Sequence, residues 1–139
     1  MSMFRIFDTA GSAMNAQSLR LNTTASNLAN AESVSGDPNK VYRARHPVFA
    51  TAMQEAAGAG ESHAAGVQVL GIVESQAPLT VQHRPEHPEA DDNGNVYLSN
   101  VNAVEEMVNM MSASRSYQNN IEILKTTRDL MLQTLQLGR

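Results

Sequence analysis

The sequence predicts a mainly α protein: two long terminal helices packed as a coiled-coil pair, with a small irregular β region between them. Three observations carry that reading. Apolar side chains recur every seven residues near the start, at Phe7, Met14, Leu21 and Leu28. Near the end, Met107, Met110, Ser114, Tyr117, Ile121, Leu124, Arg128, Met131 and Leu135 follow alternating steps of three and four. Both spacings keep one face of a helix turned toward a partner. Between them the period breaks up among Gly, Pro and Asn. The expected division is residues 1–34 for the N-terminal helix, 35–99 for a central β and loop region, and 100–139 for the C-terminal helix.

In the N-terminal segment the intervening heptad slots hold Met3, Ala10, Gln17, Thr24 and Ala31. Small and polar residues there suit close approach of several helices better than an independent two-stranded coil, and one face of an ordinary amphipathic helix fits the spacing equally. No proline interrupts the run, and Ser2 is available as an N-cap. In the C-terminal segment Asn102 with Glu105 resembles a capping box, Glu105 and Glu106 suit the positive end of the helix dipole, and Gly138 is a candidate terminator. Val101, Val104, Val108 and Met111 widen the apolar face near its start. At about 1.5 Å per residue the helices reach about 40 and 50 Å. Rods of that length, rich in Ala, Asn, Gln, Ser and Thr, bury too little apolar area to offset an ordering cost of about 1–2 kcal/mol per residue. The termini are therefore expected to fray in the lone chain and order on assembly. Phe7, Met14, Leu21, Leu28, Met107, Met110, Tyr117, Ile121, Leu124, Met131 and Leu135 are the candidate inter-subunit packing residues.

In the middle, Asp37-Pro38-Asn39 reads as a turn and Val41 to Arg45 as a short strand before Pro47. Ala57 to Gly66 reads as a flexible loop. Val67-Gln68-Val69, Ile72-Val73, Leu79-Thr80-Val81 and Val96-Tyr97-Leu98 read as strands, the last entered through an Asn93-Gly94 turn.

Composition excludes several functions. Ten Lys and Arg against 14 Asp and Glu give a net charge of −4, without the basic patch that nucleic acid requires. With no Cys there is neither a disulfide framework nor a thiolate metal site. The apolar start of the chain is cut short by Asp8, well before the roughly seven to fifteen residues of a signal peptide core. No stretch approaches the roughly 20 apolar residues of a membrane span.

Candidate chemistry is sparse. His83 and His87 sit four apart beside Glu86 and Glu89, but Pro85 and Pro88 preclude the helix that would hold two metal ligands on one face. From Asp91 an EF-hand register would need Gly at the sixth position and Glu at the twelfth, where Val96 and Asn102 stand. Asn22-Thr23-Thr24 matches a glycosylation sequon inside a predicted helix, where chance is the better account. No phosphate-binding glycine loop or activated nucleophile is present. The chain is expected to be no enzyme and to need no cofactor, metal or small-molecule substrate.

The run Ser18 to Ala31, ending Asn27-Leu28-Ala29-Asn30-Ala31, resembles the N-terminal signature of flagellar axial proteins. Glu106 to Asn120 and Leu130 to Leu135 are similar to the C-terminal region of the basal-body rod members of that family. Phe7 to Ala13, Tyr42-Arg43-Ala44, Glu74 to Pro78 and Pro88 to Asp91 fit the same branch. Glu32-Ser33-Val34-Ser35-Gly36 departs from the Thr-Pro-Gly-Tyr-like run of many axial proteins, which sets the chain apart from the hook and distal-rod relatives. The resemblance implies a structural subunit of the proximal rod, exported without a cleavable signal peptide and placed in the periplasmic part of the basal body. Its implied partners are further copies of itself, FlgB-, FlgF-, FlgG- and FliE-type rod proteins and the membrane-ring base. A stand-alone helical protein-binding module is the alternative that the helices by themselves allow.

Overall fold

A computed structural model of the chain describes residues 3–55 and 62–137. The elements are α1 (Met3–Ala29), β1 (Val34–Ser35), β2 (Arg45–Glu55), β3 (Ser62–Glu74), β4 (Thr80–His83), β5 (Asn95–Leu98) and α2 (Ala103–Leu137). This is the expected plan of two terminal helices with a small β region between them. Strands β1, β5 and β4 form one antiparallel sheet in that order, and β2 with β3 forms a separate hairpin ribbon. The ribbon and α2 both pack on α1.

Local chemistry sets the helix ends. Asn102 Oδ1 accepts the backbone N–H groups of Val104 (3.1 Å) and Glu105 (3.4 Å), so α2 starts at Ala103 with Asn102 as its cap. Glu105 and Glu106 follow in the first turn, where the dipole favours them. At the end of α1 the bonding tightens: Asn30 N–H donates to Ser26 O and Asn27 O, and Ala31 N–H to Leu28 O. Ser2 and Gly138, the expected outer cap and terminator, lie outside the described residues.

Several strand limits differ from the sequence pattern. Val41 to Ala44 forms no strand, because its hydrogen bonds go elsewhere: Ala44 N–H donates to Asn100 Oδ1 (2.8 Å) and Tyr42 Oη to Asn27 Oδ1 (2.9 Å). Strand β2 begins at Arg45 and runs through Pro47, which a two-stranded ribbon tolerates where a central strand would not. Ser62 to Gly66, read as loop, belongs to β3; residues 57–61 of that expected loop lie outside the described residues. Strand β3 is continuous where two short strands were expected, absorbing register shifts opposite Val48/Phe49 and Ala52/Met53. Where it crosses α1, Gly66 leaves room for Ser12, whose Oγ accepts from Val67 N–H (3.1 Å); a Cβ on Gly66 would collide with that oxygen. The turns at Asp37 and at Asn93-Gly94 form as expected, with Gly94 at φ 75.

The core is thin and largely polar. Its buried apolar members are Ala10, Ala16, Val41, Ala44, Val96 and Ala113, of which only the two valines exceed a methyl group. Beside them lie Thr23, Thr24, Asn27, Ser99, Glu106 and Thr127. The centre is Asn27, 1% exposed. Its Nδ2 donates to Arg45 O (2.8 Å) and Glu106 Oε2 (3.0 Å), and its Oδ1 accepts from Arg45 N–H (2.9 Å) and Tyr42 Oη. One amide thus ties α1 to the approach to the ribbon and to α2. Asn100 acts similarly just before α2, its Nδ2 donating to Ala77 O (3.0 Å).

Truncating Asn27 leaves buried donors and acceptors in three segments unpaired. Asn27→Ala is expected to lower unfolding stability by about 3 kcal/mol or more; a urea titration showing less than about 1 kcal/mol would remove Asn27 from this role. The Tyr42 phenol is pushed above its ordinary value of 10.0, mainly by burial, with Arg45 acting in the opposite sense. The native state therefore holds this proton more tightly than the unfolded chain. The contribution is intact below about pH 10 and lost as pH rises through the folded value. Tyr42→Phe should flatten that alkaline limb of a stability–pH curve, and an unchanged limb would count against it.

Candidate assembly surface

Of the 35 residues of α2, the buried ones are Glu106, Ala113 and Thr127. Its large apolar side chains are half-buried or exposed. In the first turns Val104, Met107, Val108 and Met111 form an outward stripe at i, i+3, i+4, i+7, each between 50% (Met107) and 70% (Val104) exposed. Toward the other end Leu130, Leu132, Leu135 and Leu137 are exposed. Covering one such side chain fully contributes about 1.5–3 kcal/mol, so the stripe carries a large unused association energy.

The structure distributes the sequence-predicted packing residues over two settings. Met107 and Leu135 are exposed, while Met110, Tyr117, Ile121, Leu124 and Met131 are half-buried on α2, Leu124 and Met131 five turns along from Glu106 and Ala113. On α1, Phe7, Met14, Leu21 and Leu28 are also half-buried. Leu21 and Leu28 each follow a residue that faces α2, Arg20 and Asn27, so that seam lies about 100° round the helix from the intramolecular contact. The contact itself uses residues that spacing did not single out. Arg20 Nη2 donates to Asn109 Oδ1 (3.1 Å), Asn109 Nδ2 donates to Glu106 Oε1 (3.5 Å), and Asn27 meets Glu106. Since residues 20 and 27 meet residues 109 and 106, the helices run in opposite directions. A sequence signal existed in the two Asn of the signature run, but polar residues in a heptad pattern read as surface.

A polar cleft of about 510 Å³ is lined by Lys40, Tyr42, Arg43 and Arg45 among others. Its arginines are engaged within the chain, Arg45 with Glu74 Oε1 at 2.9 Å and Arg43 with the carbonyls of Ser75 and Ala77 at 3.4 Å. His83 Nδ1 lies 3.2 Å from Asn95 Oδ1 across the β4–β5 hairpin, and His87 Nδ1 accepts Glu89 N–H. Among the described residues no cluster of three or more His, Asp or Glu could hold a metal ion, and no helix is long and apolar enough to cross a membrane. An apolar groove of about 230 Å³ opens between the helices at Ile6, Ala13 and Ile123.

Comparison with known proteins supplies the family. Over all 139 residues of both chains the sequence is 52% identical to the flagellar basal-body rod protein FlgC of Salmonella typhimurium. It belongs to the FlgC family. The FlgC of Escherichia coli O6:H1 is 50% identical over the full length of both chains, and that of Buchnera aphidicola from Acyrthosiphon pisum is 41% identical over 99% of each. Two family profiles match as well, "Flagella basal body rod protein" over residues 7–36 and "Flagellar basal body rod FlgEFG protein C-terminal" over 92–137. Those segments carry α1 and α2, and Asn27 and Glu106 lie one in each. The protein is a structural subunit of the flagellar basal-body rod that assembles with other rod components, and it is not an enzyme.

An outward stripe is tolerant of charge in the lone chain. Val104→Asp and Val108→Asp are each expected to change unfolding stability by no more than about 0.5 kcal/mol. A loss of several kcal/mol in a denaturant titration would show that the chain itself covers the stripe.

Proposed function

We propose that this FlgC-family subunit belongs to the proximal rod and polymerises through its terminal helices, forming part of the wall of the export channel and transmitting torque. The observation that carries this reading is α2: 35 residues long, with no large apolar side chain buried and both ends of its outer face apolar. Such a helix lacks the burial needed to offset its ordering cost within one chain. Neighbouring subunits supply it. Heterologous contacts, in which one face of a subunit meets a different face of the next, build an open helical tube when the rotation between subunits does not close a ring. Residues 1–34 and 100–139 act as the helical assembly module, and residues 35–99 form the central region joining them.

In the assembled rod the flanking residues Phe7, Met14, Leu21, Leu28, Met110, Tyr117, Ile121, Leu124 and Met131, with exposed Met107 and Leu135, pack against other subunits. The helices take up coiled-coil packing there, where their seams meet a complementary face. The neighbours are further copies and FlgB-, FlgF-, FlgG- and FliE-type rod proteins above the membrane-ring base, in the periplasm, after export without a cleavable signal peptide.

Leu135→Asp, or removal of the chain from Leu130 onward, is expected to abolish motility by stopping incorporation into rods, while β4 and β5 keep their hydrogen-exchange protection. Normal motility in either variant would overturn the reading. In the isolated wild-type chain the second half of α2 should exchange its amides faster than the centre of α1, which the β2–β3 ribbon covers. Uniform, strong protection along α2 would count against it. A discrete stoichiometric complex with a single partner, in place of open-ended assembly, would favour a stand-alone binding module.

A further inference from the structure

The first turns of α2 are inside out. Toward α1 they present Glu106, 4% exposed, and further along Ala113, fully buried; toward solvent they present Val104, Met107, Val108 and Met111. At 3.6 residues per turn the stripe and Glu106 lie on nearly opposite sides of the helix. Within these first turns apolar burial by itself favours the reverse setting, with that segment rotated about half a turn, its stripe against α1 and its carboxylate in water, whereas further along the half-buried Leu124 and Met131, whole turns from Glu106 and Ala113, favour the observed one. A specific interaction has to oppose that rotation.

The small side chains between the elements do not. Ala10, Ala16, Thr23, Thr24, Ala113 and Thr127 present similar smooth surfaces to whichever face meets them. The hydroxyls of Thr23 and Thr127 are turned back onto their own helices, to Leu19 O (2.9 Å) and Ile123 O (2.8 Å). The polar contacts are different. Asn27 is immobilised by three bonds to Tyr42 and to both backbone groups of Arg45, so its remaining N–H points at a fixed place, where Glu106 Oε2 sits at 3.0 Å. Two turns back along α1, Arg20 holds Asn109, which donates to the other Glu106 oxygen. We propose that Asn27, seconded by Arg20 through Asn109, is a positioning residue that selects the rotational setting of α2 and so keeps its apolar stripe turned outward. A buried polar pair that specifies one arrangement among several of similar burial is the best-attested use of such pairs. The proposal concerns contacts within one chain, and its test involves no assembly, so it can fail while the assembly reading stands, and the reverse.

The chain has no cysteine, so single thiols report which face is covered. Two reporters are made, Val108→Cys on the outer face and Ala113→Cys on the inner, and their labelling rates by a maleimide are followed. In the otherwise native chain the outer thiol should react fast and the inner slowly. Asn27→Asp sets a carboxylate against Glu106, and Glu106→Ala removes the contact without repulsion. Each is expected to slow the outer thiol and speed the inner by about tenfold, because rotation exchanges their environments. Glu106→Gln keeps a side-chain oxygen that accepts from Asn27 Nδ2 and should leave both native rates. Should Asn27→Asp simply unfold the chain, Glu106→Ala decides. Unchanged rates in Glu106→Ala, or both thiols turning fast in both variants, or exchanged rates in Glu106→Gln, would each overturn the proposal, the second by making the pair a general stabiliser.

Discussion

A side-chain amide offers two donor hydrogens and two acceptor directions, and at Asn27 all four are taken. Every partner comes from a different part of the architecture than α1 itself: a phenol from the segment after the first turn, both backbone groups of the residue that opens β2, and a carboxylate from α2. In a core whose apolar members among the described residues are four alanines and two valines, dispersion and hydrophobic burial are weak, so directional bonds carry an unusual share of the definition of the fold. The bonds are also strong in context. A buried amide that lost one of them would be left with an unsolvated group, which makes the arrangement close to all-or-none.

The β region serves this joint. Arg45 is at once the first residue of β2, a double partner of Asn27, the ion-pair partner of Glu74 at the far end of β3, and a cation lying 5.4 Å from the Tyr42 ring centre. The ion pair is half exposed and adds little by itself. Its effect is geometric, because it closes the base of the ribbon where the ribbon meets α1. From there the ribbon follows α1, with Gly66 allowing its backbone down onto Ser12. The three-stranded sheet does the same at the other helix, since β5 leads directly into Asn100 and the Asn102 cap.

The two helices are consequently unequal. One is sheltered by the ribbon on one side and by its partner helix on another, whereas α2 has shelter on one side alone and turns Val104, Met107, Val108 and Met111 near its start and Leu130, Leu132, Leu135 and Leu137 near its end to solvent. A large exposed apolar surface on a chain of this size marks a place for other molecules. On the proposed assembly reading that asymmetry separates two tasks: α1 with the β region defines the folded unit, and α2 offers the surface through which units associate.

The existence, type and approximate limits of both helices were legible in the spacing of apolar residues, because helical periodicity survives whatever the helix packs against. Turn chemistry was legible too, at Asp37 and at Asn93-Gly94, where two or three residues determine the backbone. The family was readable from the signature run around Asn27 and the run after Glu106. Strand lengths were not, since the continuity of β3 through Gly71 depends on its pairing with β2, and the fate of Val41 to Ala44 on distant amides at positions 27 and 100. By itself, then, the sequence determined two long helices, the Asn102 cap of α2, the turns, and the lineage of the chain. Only the tertiary structure decided that α2 turns a glutamate inward and its apolar stripe outward. Periodicity states that a helix has faces, and a hydrogen bond between residues 79 positions apart is needed to state which face meets which neighbour.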